Sequence, residues 1–343
     1  MTDLLRVLVV GAGRAGMVHG RSFAVGVPGA RLAAVADPQA EARERAAAEL
    51  GCDLAFDDPV AAASSEDVDA VVIASPTPTH AEIAVAALET GKHVLCEKPL
   101  ASTLEQATAV ADAARRSSGA FLMGFMRRFD AGFDRARERI EAGEIGEPVL
   151  VRSTGRGPGL PSEWALDPRS SGGLIAEVNS HDIDTVRWLS RREFETVYAA
   201  GRAAKRPDLA ERHPGFVDVV AVTAELTGGG LAQIDGACPA GYGYDARVEV
   251  YGTEGTILVG DPRARSALVV RADGAVVDAV ASWRDLFAEA YRAQDAHLVR
   301  VAHGDDGPRA GVLDGLRALE VVVSVNRSLE TRTVESVPPA PDG

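Results

Sequence analysis

Lysine is scarce in this chain of 343 residues: its 36 basic side chains include only Lys92, Lys98 and Lys205, and arginine fills the other cationic positions. Cysteine is scarce as well. Cys52, Cys96 and Cys238 lie far apart, with neither the paired spacing of a zinc site nor the even set of a disulfide framework, which fits a reducing cytoplasm and no bound metal. Basic charge is in deficit, and a net charge of -14 with a pI near 5.0 argues against a nucleic-acid or anionic-membrane partner, since both need a basic face. No segment reaches the apolar length that spans a bilayer. The apolar start is interrupted by Arg6 and followed by Arg14, and it runs into a glycine loop where a secretory signal would carry its cleavage site. There is no internal repeat and no low-complexity linker; only the proline-rich tail after about Ser336 reads as loosely attached. What remains, 46% hydrophobic and 25% charged residues, is the composition of a soluble globular protein with length for two domains.

The first third alternates between strand and helix patterns. Apolar runs at Leu5–Val10, Arg31–Ala36, Ala70–Ala74, His93–Cys96 and Phe121–Gly124 predict strands. Between them lie predicted helices reaching about Gly26 and covering Pro38–Leu50, Thr79–Thr90 and Leu104–Ser117. Such units build a parallel sheet covered on both faces. Gly11-Ala12-Gly13-Arg14-Ala15-Gly16 follows the first strand, opens a helix, and is followed about twenty residues later by Asp37 at the end of the next strand, which completes a dinucleotide-binding fingerprint. Gly11 makes the tight turn, Gly13 lets the backbone approach a pyrophosphate, and Gly16 lets helix and strand pack closely. The phosphates then sit at a helix N-terminus. Asp37 is placed to accept both ribose hydroxyls, and its charge repels a 2'-phosphate, so NAD is favoured over NADP; Arg14 and Arg43 soften that repulsion. Ser75-Pro76-Thr77-Pro78-Thr79-His80 is a rigid, hydroxyl-rich loop at a strand end. It is suited to line the nicotinamide-ribose side, and Thr79 is also placed as a helix N-cap.

Glu97-Lys98-Pro99 follows the strand at His93–Cys96. It puts an ammonium at the carboxyl end of a strand, where open α/β sheets bind ligands. In so lysine-poor a chain, that position suggests a site needing a compact ammonium able to shift its pKa, which guanidinium is not. The plainer alternative is a surface lysine after a strand.

From about residue 125 the pattern changes. A helix at Ala131–Ala142 leads into Pro148–Arg152, and alternating runs at Val217–Leu226, Leu231–Ala237 and Arg247–Tyr251 read as an antiparallel sheet in an α+β domain. The expected division is 1–124, a NAD-binding domain; 125–336, a substrate-binding and oligomerisation domain; and 337–343, a tail. Within the second domain lies Gly172-Gly173-Leu174-Ile175-Ala176-Glu177-Val178-Asn179-Ser180-His181-Asp182-Ile183-Asp184. A helix running from Ser170 through Gly172 puts Glu177 and His181 one turn apart, with Asp184 on their face. Imidazole suits proton transfer near neutral pH, and a neighbouring carboxylate orients it. The alternative is a solvated or core histidine held by an i,i+4 acid.

The series formed by Gly11 to Gly16, Asp37, Glu97-Lys98-Pro99, Gly124 to Asp130, Gly172 to Asp184, Gly243-Tyr244-Asp245 and Glu249 to Gly255 resembles the glucose-fructose oxidoreductase, inositol dehydrogenase and rhizopine-catabolism family (Gfo/Idh/MocA). It is closest to the inositol dehydrogenase branch, through Phe125 to Asp130 and His181 to Asp184. The resemblance implies a Rossmann domain, a C-terminal α+β domain with an open, mainly antiparallel sheet that pairs in homo-dimers or homo-tetramers, and a substrate cleft between the domains. It implies Lys98 and His181 as the catalytic pair with Glu177 tuning them, and Arg127, Asn179 and Tyr244 as substrate contacts. Cofactor contacts then come from Gly11, Gly13, Arg14, Ala15, Gly16, Asp37, Ser75, Pro76, Thr77, His80, Glu97 and Lys98. A cis peptide before Pro99 belongs to the same implication. Glu177 departs from the aspartate usual in the family, which favours a related polyol, sugar, aminosugar or aminocyclitol over inositol itself. The implied reaction is reversible, NAD-dependent oxidation of a secondary ring alcohol. The family also holds redox-neutral NAD-dependent glycoside hydrolases and sugar sensors that have lost their chemistry.

Overall fold

A computed structural model describes residues 4–261, 263–272 and 274–339. β1 (Leu5–Val10) has every side chain but that of Arg6 buried. It is followed by α1 (Arg14–Gly26), β2 (Ala30–Ala36), α2 (Ala40–Leu50), β3 (Leu54–Phe56), α3 (Pro59–Ala63), β4 (Ala70–Ile73), α4 (His80–Glu89), β5 (His93–Glu97), α5 (Leu104–Arg116) and β6 (Phe121–Gly124). These strands form one parallel sheet in the order β3-β2-β1-β4-β5-β6. That is the doubly wound order, with its switch point between β1 and β4. All four residues of β4 are buried, as expected where both sheet faces are covered. The sequence reading passes over β3 and α3, because three and five residues are too few to show a period.

The chain continues through α6 (Ala131–Glu141), β7 (Pro148–Arg156), α7 (Pro168–Ser171), α8 (Ser180–Ser190), β8 (Phe194–Arg202), α9 (Pro207–Arg212), β9 (Val219–Leu226), β10 (Gly230–Ala237), β11 (Asp245–Gly252), β12 (Thr256–Val259), β13 (Arg263–Arg271), β14 (Gly274–Ala279), α10 (Trp283–Leu286), α11 (Ala288–Ala302), α12 (Val312–Thr331) and β15 (Glu335–Ser336). The second sheet has the order β12-β11-β7-β10-β9-β8-β15. Its pairings are antiparallel except between β7 and β10, which run parallel. Burial alternates strictly along β9, so this sheet has one covered face and one open face. β13 and β14 pair with each other as a separate hairpin.

The chain packs as two units, Met1–Phe129 with Ala288–Leu319, and Asp130–Phe287 with Glu320–Gly343. The return of Ala288–Leu319 to the first unit lies outside the division read from sequence. Its reason is the need to cover the parallel sheet: Leu298, Val299 and Val301 of α11 join a buried cluster with Val7 and Val9 of β1, Val72 of β4, Leu95 of β5 and Leu122 of β6. In the second unit, Glu335 and Ser336 pair with β8, and the Val337 N–H donates to the Glu195 carbonyl at 2.9 Å. The loose attachment expected of the tail therefore does not apply to Val337, which is buried; residues 340–343 lie outside the described residues. No helix of the described residues is long and apolar enough to cross a membrane.

Candidate active site

In the first unit the glycine loop lies between β1 and α1. Gly11 has φ +95°, and a Cβ there would lie 2.7 Å from the Ala74 carbonyl oxygen. A Cβ on Gly16 would lie 1.7 Å from the Gly11 carbonyl oxygen. Protein packing alone therefore demands glycine at both positions. Gly13 differs: a Cβ there meets no protein atom within 4 Å, and its φ of -80° is open to any residue. Nothing within the fold requires glycine at 13, and the bare backbone there leaves room for a group from outside to approach, as a pyrophosphate does. Gly13 is the N-cap of α1 with no side-chain cap, and the first turn carries no acid. The N–H groups at Arg14, Ala15 and Gly16 are thus left to an anion, aided by the helix dipole. These residues fit a dinucleotide.

Asp37 ends β2. Its carboxylate accepts from the Ala12 N–H at 2.8 Å and from the Gln39 N–H at 2.9 Å, which clamps the glycine loop to β2. Arg43 donates to the Asp37 backbone carbonyl at 2.7 Å, so its charge stands beside Asp37. Beyond β4, the Ser75 and Thr79 hydroxyls share a 2.7 Å hydrogen bond and Thr79 also donates to the Pro76 carbonyl. Thr79 makes no N-cap bond to α4, because its hydroxyl is used inside the loop. Thr77 is buried, whereas Pro76 is exposed. His80 is buried with Nδ1 2.8 Å from the Pro99 carbonyl and Nε2 2.9 Å from the Ser75 carbonyl, and burial pushes its pKa down. It ties the loop after β4 to the loop after β5.

Lys98 follows β5, half-buried, with a cis peptide to Pro99. Its backbone N–H donates to Glu97 Oε2 at 3.2 Å. Glu97 is 5% exposed, and its Oε1 lies 3.3 Å from Nε2 of His19 on α1. His19 Nδ1 lies 2.6 Å from Oδ1 of Asp295 on α11, and the Tyr291 ring meets the imidazole edge-on at 5.3 Å. Burial disfavours a charge on His19, but the carboxylates of Asp295 and Glu97 outweigh it and raise its pKa to about 10. Sequence reasoning missed His19 and Asp295. His19 stands six residues past Gly13 on the fingerprint helix, a position open to inspection; Asp295 carries no local signal. Arg127 sits in a short 3₁₀ turn, Met126–Phe129, and is 1% exposed.

The second unit carries the other candidates. The helix expected through Gly172 does not form: α7 stops at Ser171, and Gly172 and Gly173 both take positive φ, +76° and +68°. A π-turn at Ile175–Asn179 then feeds α8. Each π-turn hydrogen bond spans one residue more than in an α-helix, which rotates Glu177 relative to His181 from the i,i+4 stacking predicted. Glu177 lines a narrow crevice with Pro161, Leu166, Phe216 and Asn326. His181 is 6% exposed in the first turn of α8. α8 is buried from Ser180 to Arg187, so it is an interior helix. Asn179 is 0% exposed; its Nδ2 donates to Asp182 Oδ2 at 2.8 Å, and Ser153 donates to Asp182 Oδ1 at 2.6 Å. Tyr244 is 8% exposed, with its ring edge-to-face with Phe287 at 6.2 Å.

Residues 5–125 match the GFO_IDH_MocA model, described as an oxidoreductase family with a NAD-binding Rossmann fold, and residues 133–258 match the GFO/IDH/MocA C-terminal domain. The scyllo-inositol 2-dehydrogenase (NAD(+)) of Bacillus subtilis is 32% identical, covering 96% of this chain and 95% of its own. The myo-inositol 2-dehydrogenase of Thermotoga maritima is 31% identical, covering 96% and 97%. Among solved structures, scyllo-inositol dehydrogenase from Lactobacillus casei with bound NAD(H) and scyllo-inositol aligns with a TM-score of 0.91 at 26% identity, covering 98% of this chain and 99% of that one.

Proposed function

We infer the reaction from one premise: the chain belongs to the GFO/IDH/MocA family of NAD-binding oxidoreductases. We propose that it is a NAD-dependent dehydrogenase that interconverts a secondary ring alcohol of a cyclitol with its ketone. The observation that carries this reading is the contrast at the glycine loop, where packing demands Gly11 and Gly16 while a Cβ at Gly13 would meet no protein atom, leaving that backbone open to a ligand. NAD, when bound, supplies the hydride acceptor. The N–H groups of Arg14, Ala15 and Gly16 hold its phosphates, Asp37 accepts its ribose hydroxyls, and Ser75, Pro76 and Thr77 line the loop that His80 braces from within.

His181 accepts the proton of the reacting hydroxyl. Lys98 donates to the same oxygen as it becomes a carbonyl, and Glu177 tunes the pair. General acid-base help of this kind contributes about two to four decades in rate. Of the residues assigned to the ring, Tyr244 keeps a little exposed surface, which supports direct contact. Arg127 and Asn179, at 1% and 0% exposure, suit an indirect role, with Asn179 holding Asp182. A cytoplasmic homo-dimer or homo-tetramer belongs to the same proposal. Its support is the spacing of the cysteines and the apolar side chains left exposed along the second sheet, Tyr198, Leu231, Tyr251 and Leu258.

The test is NADH absorbance on mixing the protein and NAD with scyllo-inositol, myo-inositol, other cyclitols, aldoses and aminocyclitols. A clear initial rate with a cyclitol is expected. Tight NAD binding with no NADH from any member refutes the dehydrogenase and points to a redox-neutral cycle.

A further inference from the structure

Among the groups that the mechanism above leaves unused, the buried cluster behind Lys98 stands out. Two carboxylates and one imidazole, from three separate elements, meet where none is more than 5% exposed. Burying two carboxylates without a cation is costly, so the imidazole between them is held as imidazolium. A continuous chain of contacts results. Asp295 Oδ1 faces His19 Nδ1 at 2.6 Å, His19 Nε2 faces Glu97 Oε1 at 3.3 Å, and Glu97 Oε2 accepts the Lys98 backbone N–H at 3.2 Å.

A fourth element makes room for it. Gly124 of β6 pairs with Glu97, and a Cβ on Gly124 would lie 2.8 Å from Glu97 Cα and 3.0 Å from its Cδ. Glycine at 124 thus lets the Glu97 side chain turn inward and back onto the next amide. His19 lies on α1, whose first turn forms the phosphate site, so the same contacts join the cofactor helix to the lysine loop.

We propose that His19 and Asp295 are positioning residues: through Glu97 they hold the backbone at Lys98 and so set where the ammonium acts. The inference rests on Lys98 being the catalytic lysine. A misplacement of about 1 Å remote from the reacting atoms costs on the order of a hundredfold in rate, the loss expected when the chain of contacts is cut.

The experiment compares wild type, Lys98→Ala, Asp295→Asn, His19→Gln and Glu97→Gln for kcat, KM for NAD and melting temperature, with a cyclitol that supports turnover. If Lys98→Ala keeps its rate, the reading beneath the inference fails and the inference with it. If Lys98→Ala is inactive, the expected result is kcat lowered on the order of tenfold to a hundredfold in Asp295→Asn and His19→Gln, with KM for NAD unchanged. A purely structural role would lower melting temperature and leave kcat per folded molecule untouched, which overturns the proposal. A measurement on the unaltered protein guards against variants that do not fold. With ¹⁵N-labelled histidine, one imidazole among the seven is expected to stay doubly protonated at a pH two units above the ordinary histidine value. A spectrum with no such ring also overturns it.

Discussion

One methyl group added at Gly13 and one added at Gly16 should act in different ways, although the two glycines stand three residues apart in one motif. At Gly16 the new Cβ would fall 1.7 Å from the Gly11 carbonyl oxygen. Even weak C–H···O contacts keep about 3.3 Å, so the β1–α1 turn would have to open by about 1.6 Å. Overpacking of this kind costs about 1–3 kcal/mol, and the backbone partner puts Gly16→Ala at the upper end. For a domain of this size the melting temperature should then fall on the order of 5–10 °C. At Gly13 the Cβ meets nothing within 4 Å and the backbone is already extended. Alanine there restricts the unfolded chain, worth about 0.4–1 kcal/mol, but an N-cap prefers glycine to alanine, so the melting temperature should change little. The same methyl intrudes where the phosphates approach. Losing one charge-assisted bond worth about 1.5–3 kcal/mol weakens NAD by about tenfold to a hundredfold. Differential scanning fluorimetry and calorimetric NAD titration separate the two effects. A Gly13→Ala protein that binds NAD like wild type, or a Gly16→Ala protein that melts like wild type, refutes the assignment of these glycines.

Three further outcomes follow from the same geometry. Lys98→Ala and His181→Ala should each lose about two to four decades in kcat, with NAD affinity by calorimetry unchanged in His181→Ala; a near-normal rate in either removes that residue from the mechanism. Asp37→Asn keeps an acceptor for the glycine loop but removes the charge, so the preference for NAD over NADP should narrow in paired kinetic assays, and an unaltered ratio would show that Asp37 does not face the 2'-position. His19 has a folded pKa of about 10 against an ordinary 6.5, so its ion pairs with Asp295 and Glu97 favour the native state by favouring its proton. That contribution is fully present below about pH 6.5, shrinks as pH rises from there to 10, and is gone above it. Urea unfolding at a series of pH values should show this decline and Asp295→Asn should flatten it; equal slopes in the two proteins would count against the charged cluster.

The dinucleotide half was legible because its signals are local. Val7 to Val10, the three glycines and Asp37 act within a single strand-turn-helix-strand unit, where burial on both faces forces apolar runs and a close helix forces Gly16. The alternating burial of β9 and β10 was legible for the same reason, since a period of two is written in neighbouring residues. The helix read through Gly172 was not, because i,i+4 reasoning assumes unbroken α geometry and two glycines at positive φ interrupt it. With a π-turn following, the relation of Glu177 to His181 passes out of reach of spacing arguments.

The sequence by itself determined the two kinds of sheet, the place of the glycine loop, the acid after the second strand and the lysine at a strand end, since each depends on residues adjacent in the chain. Only the tertiary structure decided that α11 returns to cover the parallel sheet, that β7 and β10 run parallel, and that Asp295 meets His19 across 276 positions. Those contacts answer to the need to cover apolar faces and neutralise buried charge, and that need is met by whichever segment the fold brings near, without leaving a pattern in any short stretch of sequence.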